Sequence, residues 1–147
     1  IQRYDLESSC FWKTDKNGVR TRPNDWYVYY VQMAEYLSRQ GHAVFVSSHA
    51  EVRKYVEEYG TEEYAIVFPA ESLETDYLNR LNERYRMTGL EKDKKAYEFM
   101  KNSYHNSISE LSKECSSITD KNLFKGAIEI NQIEYDLSEI LRSQFRP

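Results

Sequence analysis

A chain of 147 residues and 17.5 kDa with 40% hydrophobic residues can bury a sizeable core, and its length predicts one α/β domain over residues 1–147, least defined over 117–147. The net charge of −4 and pI near 5.5 argue against a protein that coats nucleic acid, although a local basic patch is compatible with them. Cys10 and Cys115 are too few for a disulfide framework, and no apolar run approaches the roughly 20 residues that span a bilayer. The expectation is a soluble cytoplasmic protein without a membrane partner; no signal-peptide pattern is visible, and the chain starts at Ile rather than Met.

The first segment, "IQRYDLESSCFW", reads as a short strand ending at Asp5, followed by a loop carrying Glu7, Ser8 and Ser9. "KTDKNGVRTRPND" is a polar loop punctuated by Gly18 and Pro23. A helix capped by Asn24 then carries Tyr27, Tyr30, Val31, Ala34 and Leu37 at the spacing of one buried stripe, and Gly41 is placed to end it. "HAVFVSS" is β-branched and apolar on both faces, the pattern of a central parallel strand. Ser48 and Glu51 have the spacing of a capping box, opening a helix with Val52, Tyr55, Val56 and Tyr59 on its buried side. "EYAIVFP" repeats the strand pattern up to Pro69, and Ser72 starts a helix with Leu73, Tyr77, Leu78, Leu81 and Tyr85. Beyond Gly89 the pattern predicts helices over 92–102 and 106–114, a short strand at "GAIEI" and a last helix over 134–144. Alternating strands and helices predict a small parallel sheet in a three-layer α/β/α sandwich. The thirteen tyrosines are expected to line core edges with their hydroxyls in water.

If the first three strands run side by side, their carboxyl ends share one edge. That edge would gather Asp5, Ser8, Ser9, Ser47, Ser48, His49, Pro69 and Glu71, with helix N-termini aimed at an anionic guest such as phosphate. Asp5 is the candidate catalytic group or magnesium ligand, because a carboxylate at a central strand's end is desolvated and needs a partner. Arg53 adds positive charge. Arg80, Arg84 and Arg86 form a second cluster: Arg80 and Arg84 lie one turn apart, which costs about 0.2–0.5 kcal/mol unless an anion or an acid such as Asp76 offsets it. Each feature also has a purely structural explanation, namely a helix cap for Ser48 and Glu51, an exposed helix residue for His49, a salt-bridged face for the arginines, and core anchoring for Trp12 and Trp26, either of which could instead stack on a base. His42, His49 and His105 lack zinc-site spacing, and Cys10 has no histidine beside it in sequence to make it a nucleophile.

Taken together, "DLESS…F", "WYVYYVQMAEYL", "VFVSSHAEVRKYV", "YAIVFPAESLETDYLNRLNERY" and "FMKNSYHNSISEL" resemble a group of small bacteriophage and prophage proteins described as adenylate or nucleoside kinase-like. The resemblance covers about the first 115 residues and rests most on Asp5–Ser9 and Ser47–Arg53. It implies a P-loop-kinase-like fold, a nucleotide with magnesium at the strand ends, lid arginines at Arg80 and Arg84, and phosphoryl transfer in a host cell's cytoplasm. "DLESSCFWK" departs from the G-x-x-x-x-G-K-[ST] cradle: it has no glycine, and Lys13 stands alone. Three functions follow as alternatives. One is a nucleoside or nucleotide kinase-like enzyme. Another is an inactive phage factor that binds a host protein or sequesters a nucleotide. The third is a haloacid-dehalogenase-like phosphatase with Asp5 as nucleophile and Ser47 holding phosphate.

Overall fold

The protein was analysed as a computed structural model, which describes residues 2–119 and 122–132. It is a mixed α/β chain with small parallel sheets, and its contacts gather into two compact units, Ile1–Glu63 and Tyr64–Pro147. The helix expected over 134–144 lies outside the described residues.

In the first unit, β1 (Arg3–Asp5) precedes a hairpin of β2 (Lys13–Thr14) and β3 (Arg20–Thr21), then α1 (Trp26–Arg39), β4 (Ala43–Phe45) and α2 (Ala50–Tyr59). β1 and β4 are parallel neighbours in the register Arg3↔Ala43, Tyr4↔Val44 and Asp5↔Phe45, so the loops that follow them leave from one edge. The segment expected to be loop holds the antiparallel β2–β3 pair. Asp15 makes that turn: its Oδ1 accepts the Asn17 and Val19 amides at 2.8 and 2.9 Å, an Asx-type contact within "DKNG".

α1 starts later than the Asn24 cap would place it. The Pro23 carbonyl accepts the Trp26 amide at 3.2 Å, which folds Asn24 and Asp25 into a turn and leaves Asp25 at the cap without a side-chain bond. Trp26, Tyr30 and Val31 are buried against Val52 of α2. The expected capping box at Ser48 and Glu51 does not form either. His49 occupies the cap, its ring held by neighbours described below, so Glu51 falls one position short of the box geometry. Glu35 of α1 fastens the chain just after α2, accepting the Thr61 amide at 2.6 Å and its hydroxyl at 2.7 Å.

In the second unit, β5 (Tyr64–Pro69) leads through a 3₁₀ turn at Glu71–Leu73 into α3 (Glu74–Thr88), α4 (Glu91–Ser117) and β6 (Phe124–Ile130). Of the three strands expected side by side, the third pairs with β6, in parallel. Between the rungs Tyr64↔Phe124 and Ile66↔Ala127, β6 carries one extra residue, a bulge made affordable by Gly126 at φ +125°. Ser72 lies inside the 3₁₀ turn and does not start the helix. The Ala70 amide donates to the Ile130 carbonyl at 2.8 Å, continuing the strand pair and delaying α3.

The two helices expected over 92–102 and 106–114 are one helix of 27 residues. The polar stretch "KNSYHNS" imitates a break, but Asn102 and Ser103 donate their side chains back to the Glu98 and Phe99 carbonyls at 3.0 and 2.5 Å. Tyr104 and Ile108 then bury the middle of the helix against Ile66, Phe68 and Phe124. Gly89, left-handed at φ +64°, ends α3 with its amide on the Tyr85 carbonyl at 2.7 Å.

Two tyrosines depart from the expectation of hydroxyls in water. Tyr30, 1% exposed, donates its hydroxyl to the Leu6 carbonyl at 2.7 Å and accepts the Ser47 amide at 2.8 Å. Tyr104, 2% exposed, donates to the Ala70 carbonyl at 2.6 Å, and burial, with Tyr77, Glu74 and Glu71 nearby, pushes its pKa up to about 12. Removing either hydroxyl strands buried backbone groups, so Tyr30→Phe and Tyr104→Phe should each destabilise the protein by about 1–3 kcal/mol in urea unfolding. Tyr29→Phe, at a position 55% exposed, should change stability by less than about 0.5 kcal/mol in the same measurement.

Candidate functional site

The Tyr30 hydroxyl joins the two loops that leave the carboxyl ends of β1 and β4. It therefore brings the Asp5–Ser9 segment and the Ser47–His49 segment to one rim of the first unit. Asp5 sits at that rim and is exposed, and among the described residues β1 pairs with β4 alone. The desolvation expected of a central strand's end does not apply to it. Ser8 caps a 3₁₀ turn at Ser9–Phe11 without a side-chain bond, and Ser9 donates to Glu7 at 3.5 Å. This loop is a tight turn that leaves the Ser8 hydroxyl unused by the cap.

On the facing loop, Ser47 Oγ lies 2.9 Å from His49 Nδ1. The imidazole stands edge-on to Trp26 with ring centroids 5.3 Å apart. Partial burial lowers the His49 pKa from 6.5, as do the Arg22 and Arg53 charges, while Glu51 opposes them. His49 is thus neutral at pH 7, with one ring nitrogen able to accept a proton. Arg53 folds back so that its guanidinium donates to the Ser48 carbonyl, tying α2 to the loop that precedes it.

A cavity of about 390 Å³ opens beside this rim, with Trp12, Arg22, Trp26 and Glu51 among its walls. Arg22 went unnoticed as a candidate in the sequence. Its signal was the pair of tryptophans flanking the loop that carries it: the guanidinium carbon lies 4.5 Å from the Trp12 ring centroid and 4.1 Å from that of Trp26. Trp26 is buried and does anchor the core, whereas Trp12 is 37% exposed.

Arg80, Arg84 and Arg86 belong to the second unit. Arg80 and Arg84 line a cavity of about 420 Å³ with Asp76, Tyr77 and Leu81. The acid that pairs Arg84 is not on its own helix: it is Asp93 at the start of α4, 2.9 Å from Arg84 Nε. Asp93 is 4% exposed and also accepts the Thr88 hydroxyl at 2.5 Å, so this guanidinium closes the α3–α4 corner. Sequence spacing within one helix could not show a partner on the next. Arg86 is exposed in the last turn of α3, where a cation complements the helix dipole.

Among the described residues no three His, Cys, Asp or Glu side chains group to hold a metal ion. Asp5 contributes one carboxylate, which suits magnesium only when phosphate oxygens and water supply the other ligands. Among the described residues no helix is long and apolar enough to cross a membrane. Compared with known proteins, the chain matches no protein-family model, no curated protein and no solved structure.

The lowered pKa of His49 has a sign that can be measured. The folded state disfavours the imidazolium, so its contribution to stability is complete above the unfolded value of 6.5 and is lost as the pH falls from there to the folded pKa. A proton NMR titration should place the His49 midpoint below 6.5, and Arg22→Gln should move it upward.

Proposed function

We propose that the protein binds a nucleotide or another phosphorylated small molecule at the β1–β4 rim of its first unit. The observation that carries this is the Tyr30 bridge, which holds two polar loops together at the carboxyl ends of adjacent parallel strands, where α/β proteins receive ligands. Ser8, Ser9, Ser47 and Ser48 supply hydroxyls for phosphate oxygens, and Arg53 adds positive charge at the start of α2. The neutral His49, hydrogen-bonded to Ser47, accepts the proton of an acceptor hydroxyl, and Asp5 meets magnesium that arrives on the phosphates. The resemblance to phage nucleoside kinase-like proteins supports the same ligand class and extends it to phosphoryl transfer in a P-loop-kinase-like three-layer fold, within a host cell's cytoplasm. With no glycine-rich cradle in the Asp5–Ser9 turn, nucleotide capture without turnover, or with a host protein as the further partner, is the alternative.

A second reading has one observation in its favour. Asp5 ends β1 and Ser47 follows the neighbouring parallel strand β4, which resembles a phosphatase whose aspartate attacks phosphate while a serine after the next strand holds it.

Thermal melting against a panel of nucleotides with magnesium tests the binding. A ligand at a hundred times its Kd adds about 2.7 kcal/mol to native stability and should raise Tm by several degrees. The double variant Ser47→Ala, His49→Ala should lose that rise, and an undiminished rise would place the ligand elsewhere. If turnover is found, Asp5→Asn should abolish it, and an acid-stable, hydroxylamine-sensitive phosphate on Asp5 would select the phosphatase over the kinase.

A further inference from the structure

The hairpin β2–β3 carries charge that the rest of the first unit does not neutralise. Arg20 and Arg22 both lie over the Trp12 ring, their guanidinium carbons 5.1 and 4.5 Å from its centroid, so two like charges share one indole. Among the described residues no carboxylate pairs with either, although Glu51 lines the same cavity as Arg22. Arg22 also lies over the ring of Trp26, a residue 2% exposed and therefore fixed by the core. Cation–π contact with two indoles positions a guanidinium without using its N–H donors in hydrogen bonds. None of the five donors of Arg22 is hydrogen-bonded within the described residues. A fork of donors immobilised in advance binds a planar pair of oxyanion oxygens with little further loss of entropy.

We propose that Arg22, held against Trp12 and Trp26 and joined by Arg20, is the receptor for a terminal phosphate, a phosphomonoester dianion. The preference for a dianion follows from the count of charges: two guanidiniums on one ring repel each other, and a group carrying about −1.5 to −2 at pH 7 neutralises both. A phosphodiester, with one negative charge, neutralises only one of them. His49 packs edge-on against Trp26, which is one wall of the same pocket. The proposal rests on the nucleotide reading for the molecule that carries the phosphate, while the receptor itself is equally open to free phosphate.

The chain has two tryptophans, and both touch Arg22, so tryptophan emission, excited at the red edge where the tyrosines do not absorb, reports on this place. Titrations with inorganic phosphate, adenosine 5′-monophosphate, adenosine 3′,5′-cyclic monophosphate and adenosine separate the sources. Phosphate and the 5′-monophosphate should change the emission saturably, and the cyclic diester and the nucleoside should bind at least about tenfold more weakly. Arg22→Lys keeps the charge but loses the fork and the stack, and should weaken the monophosphate about tenfold or more. Arg20→Gln, at an exposed strand position, should weaken it severalfold without lowering Tm, and carries the test if Arg22→Lys fails to fold. Binding of the monophosphate equal to wild type in Arg20→Gln and in folded Arg22→Lys overturns the receptor and leaves the nucleotide reading intact. A monophosphate that binds no tighter than inorganic phosphate, both in an Arg22-dependent way, keeps the receptor and overturns the nucleotide. Equal affinity for the cyclic diester overturns the dianion preference, and the absence of any emission or Tm response to all probes at millimolar concentration overturns both proposals.

Discussion

The first unit depends on a single phenol. With one hydroxyl, Tyr30 both donates to a carbonyl following β1 and accepts an amide following β4. A two-stranded parallel sheet of three rungs is too small to hold its own loops, and an isolated pair of strands is marginal in water. The phenol supplies the missing constraint from outside the sheet, because its ring is anchored among Trp26 and Val52 of the helices and Phe11 of the first loop. Packing of α1 on α2 thereby sets the spacing between two loops that neither helix contains.

The second unit solves the same problem in the same way. Tyr104 reaches from the middle of α4 to the Ala70 carbonyl, just past the end of β5, and its pKa near 12 keeps the phenol a donor across the physiological range. Ala70 is held from a second side by Ile130 of the neighbouring strand. In both units a strand end is fixed by a helix side chain rather than by a longer ladder, which explains how strands of so few residues terminate in defined places.

Much of the architecture was legible because it is periodic. The stripes of α1, α2 and α3 and the apolar runs of β4 and β5 announce themselves in spacing, and the parallel pairing of β1 with β4 follows from the helix between them. What stayed hidden was set by contacts remote in sequence. Asn24 and Ser48 have the chemistry of caps, but Pro23 and the His49 ring decide where the helices begin. The polar run in α4 looks like a break until its side chains are seen to bond one turn back. The pairing of β5 with β6 was invisible because nothing in a short apolar run names its neighbour. Of the candidate site, the serines and His49 were readable from their place after strands. Arg22 was not, since its significance lies in two rings, ten residues before it and four after it in sequence.

The pairing of β5 with β6 has a consequence for how the chain is made. About sixty residues separate Tyr64 from Phe124, so at synthesis rates of roughly 5–20 residues per second β5 leaves the ribosome seconds before its partner exists. During that interval the backbone donors and acceptors of "YAIVFP" face a crowded cell with no ladder to occupy them. The long α4, which forms within microseconds once emerged, can cover Ile66 and Phe68 in the meantime and leave only the strand's edge to be closed last.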